Sequence, residues 1–191
     1  MKVTVPAILG IVAGILVAIG AFIPGWMVLV YPRYRVYMSL FYGITCSDSN
    51  SCHVYSFVEF NHGTGSNQIG LIEFQIEVIL SIVISIVSVV VLFVFLRENK
   101  GDKSLLLSIV LYMIGGLMIL TACGRILAET ITANNTRKNT NDSDFYYWFP
   151  FSLVPAGIGG VVQIIAAGIV YVIRRQFMRE DEPNTIVYYK P

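Results

Sequence analysis

Four residues in one stretch of the chain could bind a metal or form a covalent bond: Cys46, Cys52, His53 and His62. Two thiolates and two imidazoles are, by type and number, a complete zinc ligand set. The same cysteines would instead form a disulfide if their segment lies in an oxidising compartment. The choice depends on which side of a membrane, if any, the segment faces. Cys123 stands by itself in an apolar run and reads as inert packing.

Charged residues give a second constellation. Glu73 and Glu77 are four apart, as are Arg125 and Glu129, so each pair falls on one helix face. A Glu77 to Arg125 pair would tie two helices together; the alternative is headgroup snorkelling with a local Arg125 to Glu129 pair. Neither arrangement is catalytic. With two histidines in one segment, no carboxylate pair inside an apolar run and no glycine-rich phosphate loop, no acid–base or nucleophilic set can be assembled. The expectation is a protein that is not an enzyme, with no cofactor and no nucleic-acid partner.

The elements that must position these residues are set by composition. Of 191 residues 55% are hydrophobic and 13% charged, and mean hydropathy is +0.70, which excludes an ordinary soluble domain. The apolar residues collect in four uncharged runs, 5–29, 78–96, 105–124 and 149–173, each near the roughly 20 residues that a spanning helix needs. The expected fold class is a membrane α-helical protein, a single domain over 1–191. The first run has an alternative reading as a cleaved signal peptide, with small residues at Ala18 and Gly20.

Basic residues next to the spans give the orientation. Arg97, Lys100 and Lys103 crowd the link between runs two and three, and Arg174, Arg175 and Arg179 follow run four. Both segments are therefore expected in the cytoplasm, together with the N-terminus and the tail 174–191. The loops 30–77 and 125–148 then face outward, whether or not the first run is cleaved. Sequons at Asn134 and Asn141 agree with that side. An outward loop is oxidising, which favours a Cys46 to Cys52 disulfide over zinc.

Within 30–77, Tyr31, Arg33, Arg35, Tyr37 and Ser39 alternate with Pro32, Tyr34, Val36, Met38 and Leu40, a period of two that predicts a strand. A second strand is expected at 53–58, after a turn at 48–51. Gly10, Gly14 and Ala18 in the first span, with Gly115, Gly116, Gly157, Gly160 and Gly168 in the third and fourth, predict close helix approaches. Tyr146, Tyr147 and Trp148 precede the fourth span, where an aromatic belt is expected.

Read together, these residues resemble the claudin superfamily, which includes claudins, peripheral myelin protein relatives and calcium-channel gamma subunits. The resemblance rests on Pro24-x-Trp26 after span one, Ser39-Leu40-Phe41 where the family has Gly-Leu-Trp, the pair Cys46 and Cys52, and Val54-Tyr55 two residues beyond the second cysteine. It implies a left-handed bundle of four transmembrane helices carrying a small extracellular antiparallel sheet.

The departures are specific. Phe41 replaces the family tryptophan, the cysteines are closer together than usual, and 71–77 lacks the usual basic residue before span two. The end of the sequence, Val187-Tyr188-Tyr189-Lys190-Pro191, shows no PDZ ligand. The resemblance implies a plasma-membrane protein acting at cell–cell contacts as a barrier, paracellular path or adhesive element, pairing with itself in cis or trans. Its alternative is an auxiliary subunit that binds and modulates an ion channel or receptor. Apart from those proteins, the expected partner is the lipid bilayer.

Overall fold

From Val5 to Phe22 no polar side chain interrupts the chain, and helix α1 (Thr4–Phe22) takes up that run. The computed structural model describes residues 3–48, 51–56, 69–98, 102–140 and 145–180. With 19 residues, α1 is about 28 Å long, close to the hydrocarbon thickness of a bilayer. It ends before the expected residue 29 for a local reason. Ile23 precedes Pro24 and is extended, with φ −69° and ψ 131°, because a proline ring disfavours the helical region in the residue before it.

Beyond this proline the chain turns into a sheet. β1 (Met27–Val30), β2 (Tyr34–Met38), β3 (Tyr42–Ser47) and β4 (Cys52–Ser56) form an antiparallel meander, and β5 (Tyr146–Trp148) adds to the far side of β1. The order is β4-β3-β2-β1-β5, and every pairing is antiparallel. The period-two stretch at 31–40 is therefore not one strand throughout. Tyr31 donates its backbone N–H to Tyr34 O at 2.9 Å, a turn that hands β1 to β2.

Three further helices complete the described chain: α2 (Ile69–Glu98), α3 (Asp102–Thr140) and α4 (Leu153–Glu180). Among the described residues, these and α1 are four helices long and apolar enough to cross a membrane, which fits a multi-pass membrane protein. α1 packs on α2 and α4, and α3 packs on the same two, so the helices close a ring. α3 has 39 residues, about 58 Å, roughly twice a bilayer core. The segment 125–148 is accordingly helical as far as Thr140.

The interior divides into two apolar clusters. One joins Val17 and Ala21 of α1 to Phe74 and Val78 of α2, Ile119, Ala122 and Ile126 of α3, and Leu153 and Ala156 of α4, and it takes in Trp26 and Leu40 of the sheet segment. The other joins the opposite ends, with Val3, Leu92, Leu105 and Ile173. The helices therefore run alternately up and down, and the sheet sits on one end only.

A buried polar belt lies along these helices. Ser81 Oγ donates to Gly115 O at 3.0 Å, Ser108 Oγ donates to Ser88 O at 3.3 Å, and Gln163 Nε2 donates to Ser85 Oγ. In a bilayer such bonds replace the apolar driving force that helices lack there.

Close approaches occur at only part of the expected glycine pattern. A Cβ on Gly116 would lie 2.8 Å from Gly160 O, and one on Gly10 would overlap Tyr112 Oη. Gly157 and Gly168 face open space, with nothing within 4 Å. Gly20 and Gly159, in contact with Ala156 and with Val17 and Ala13 respectively, hold α1 against α4 instead.

Candidate functional site

The family-motif residues from Pro24 to Phe41 collect where the sheet meets the bundle. The last four carbonyls of a helix lack partners further along it, and those of α1 are met within the protein, three of them by the sheet segment. Ile23 N–H reaches Ile19 O at 3.0 Å. Trp26 Nε1–H reaches Gly20 O at 2.6 Å, Ser39 Oγ reaches Ala21 O at 3.2 Å, and Tyr42 Oη reaches Phe22 O at 2.8 Å. One residue on, Ser152 Oγ from the start of α4 donates to Ile23 O at 2.8 Å.

Trp26, 2% exposed, and the fully buried Ser39 and Leu40 are thus fixtures of the joint. Gln75 Nε2 of α2 donates to Leu40 O from the other side. Phe41 packs its ring 5.3 Å from that of Phe22, against the cluster beneath the sheet. A Cβ on Gly25 would overlap the outer atoms of the half-exposed Phe151 ring, which would have to move. Pro24 and Trp26 are legible in the sequence as a motif; the capping roles of Ser39, Tyr42 and Ser152 are not, since a lone hydroxyl carries no spacing signal.

Cys46 and Cys52 sit opposite each other on β3 and β4 and are joined by a disulfide. With both thiols oxidised, zinc loses its two sulfur ligands. His53 is exposed on β4, and His62 lies outside the described residues. Val54 is 68% exposed on the sheet surface. The Tyr55 ring covers Gly43 on the neighbouring strand so closely that a Cβ there would overlap it. Burial raises the Tyr55 phenol above its ordinary range, opposed by the polar Thr45 side chain.

The ion pair joins helices. Arg125 Nη1 donates to Glu77 Oε1 at 2.8 Å and Nη2 to Glu73 Oε2 at 2.9 Å, with the guanidinium carbon 4.7 Å from the Phe74 ring centre. One arginine of α3 thereby bridges both glutamates of α2, next to the cluster that meets the sheet.

At the margin of the sheet the aromatics form a cluster. Tyr31 stacks on Tyr34 at 4.2 Å and meets Phe145 at 4.7 Å, while Phe145 meets Tyr147 edge-on at 5.7 Å. Burial, and then the neighbouring Tyr34, raise the Tyr31 phenol above its usual value. A cleft of about 310 Å³ opens beside them, lined by Val30, Tyr31, Pro32, Arg35, Asp48, Phe145 and Tyr146. Tyr146, Tyr147 and Trp148, expected as a membrane belt, form β5; three residues are too few for an alternation to show in the sequence.

Of the two sequons, Asn141 lies outside the described residues and Asn134 sits on α3. Asn134 Nδ2 donates to Tyr147 O at 2.7 Å and its Oδ1 accepts from Tyr147 N–H at 2.9 Å. One turn further along α3, Arg137 Nη1 donates to Phe145 O at 3.1 Å.

The region is stapled by a disulfide, capped by side-chain hydrogen bonds and ion-paired. No family model matches this chain, and no curated protein matches it significantly.

Proposed function

We propose that this chain is a divergent member of the claudin superfamily, a plasma-membrane protein that acts at cell–cell contacts through its sheet. In this reading the helices form a left-handed bundle, both termini are cytoplasmic, and the sheet pairs with a second copy in the same or the opposing membrane. The observation that carries it is the joint. A five-stranded sheet with a Cys46–Cys52 staple is fixed to one end of the four helices by hydrogen bonds to the last carbonyls of α1.

Charge supports the sidedness. Arg97 lies in the last turn of α2 and Lys103 in the first turn of α3, and Arg174, Arg175 and Arg179 lie at the same end of α4, opposite the sheet. Short basic segments resist translocation, so the sheet belongs outside, where its disulfide is stable. The exposed Val54, Tyr146 and Trp148 offer the apolar and aromatic anchors on which protein contacts depend.

The test uses the full chain with a fluorescent tag in mixed cultures. Enrichment at borders between two expressing cells, and not at borders with non-expressing neighbours, supports contact function. An even surface distribution with a channel or receptor co-purifying in mild detergent would contradict it and support the auxiliary-subunit reading.

A further inference from the structure

The outer edge of β5 is covered, and the residue that covers it occupies a glycosylation motif. β5 pairs with β1 on one side, with Tyr146, Tyr147 and Trp148 opposite Val30, Leu29 and Val28. Its other side would present free backbone groups, a template for further strand pairing. Asn134 fills that place with both ends of its amide, bonding the N–H and the C=O of the single residue Tyr147. Arg137 takes the carbonyl of Phe145, two residues away on the same edge.

We propose that Asn134 is an edge clamp joining α3 to the sheet, and that this clamp and an N-glycan on the same amide exclude each other. The reason is the geometry of the amide. Pairing with both backbone groups of one residue uses Oδ1 together with the N–H on the oxygen side of the nitrogen. An N-glycan converts the amide to a secondary amide, whose favoured trans form puts the sugar carbon on that same side. The sugar would stand where Tyr147 O stands. The Asn134-Asn135-Thr136 sequon therefore stays unmodified in chains whose β5 is docked. The glycan half of this proposal rests on the outward-facing reading; the clamp half does not.

The experiment compares full-length wild type with Asn134→Ala, Asn134→Asp and Thr136→Ala, expressed in secretory cells and purified from the surface pool. Thr136→Ala destroys the sequon and leaves the amide intact. The Thr136 hydroxyl donates to Thr132 O on the exposed face of the same helix at 3.0 Å, and alanine's helix propensity offsets that loss, so this variant is expected to melt within about 1 °C of wild type. Asn134→Ala is expected to melt about 4–8 °C lower, the loss of two partly buried hydrogen bonds, even though alanine favours the helix. Asn134→Asp keeps the acceptor, loses the donor and should fall between them.

Peptide mapping with glycosidase release is expected to find Asn134 bare in the wild-type surface pool. A glycan on Asn134 in that pool, or equal melting losses for Thr136→Ala and Asn134→Ala, would overturn the proposal. Should the loop face the cytosol, a cysteine probe at Arg33 would label only in permeabilised cells. The melting contrast would still stand or fall by itself.

Discussion

Trp26 shows how much one side chain does at the joint. Its indole N–H is the partner of Gly20 O, a carbonyl at a helix end buried under the sheet. Replacing Trp26 by Phe keeps most of the ring and removes the donor, and an unsatisfied buried acceptor costs about 1–3 kcal/mol. The purified protein should melt correspondingly lower. Tyr42→Phe removes a bond near the surface, where water can substitute, and should cost about 1 kcal/mol or less. Equal losses for the two would argue against burial as the cause. Pro24 and Trp26 were legible because a proline and a tryptophan interrupt a long apolar run. The acceptors were not legible: they are backbone carbonyls, and only the return of β2 and β3 over α1 brings Ser39 and Tyr42 to them. The same holds for Asn134, whose residue type announced a sequon while its partner Tyr147 became visible only once α3 and β5 lay together.

At the level of elements, length decided what could be read. Helices α2 to α4 declared themselves by hydropathy. β1 was hidden because Met27–Val30 is as apolar as the span before it, its last three residues being buried in succession rather than alternately. β5 is three residues long and carries no period. The disulfide links facing positions on β3 and β4, so Cys46→Ser and Cys52→Ser should impair surface delivery alike. The loss of a short closed loop corresponds to about 2 kcal/mol in the chain-entropy model. Unequal delivery would point to a role for one free thiol instead. Helix packing makes a contrasting prediction. Gly157→Ala meets open space and should stabilise by about 0.5–1 kcal/mol through helix propensity. Gly116→Ala forces a Cβ to 2.8 Å from Gly160 O and should destabilise by about 1–3 kcal/mol. Melting of the two variants side by side checks both signs.

For the whole molecule, two separations carry the account. Arg97, Lys103, Arg174, Arg175 and Arg179 flank one end of the bundle and the sheet covers the other, and polar side chains buried between helices, such as Ser81, Ser85 and Gln163, hold the ends in register. Composition alone was enough to read the four apolar helices, because a spanning length of apolar residues is a property of the sequence rather than of tertiary contacts. The partner proposed for the sheet would not be encoded in that way; it would depend on the shape of a surface to which Val54, Tyr146 and Trp148 contribute from different strands. Contact between cells requires first that this surface be outside. The direct measurement is labelling of single-cysteine probes in living cells with a membrane-impermeant maleimide, at the exposed positions Arg33 on the sheet side and Lys103 at the basic end. Arg33→Cys is predicted to label in intact cells and Lys103→Cys only after permeabilisation. Labelling of Lys103→Cys in intact cells, with Arg33→Cys protected, would contradict an outward-facing sheet and with it the proposed function.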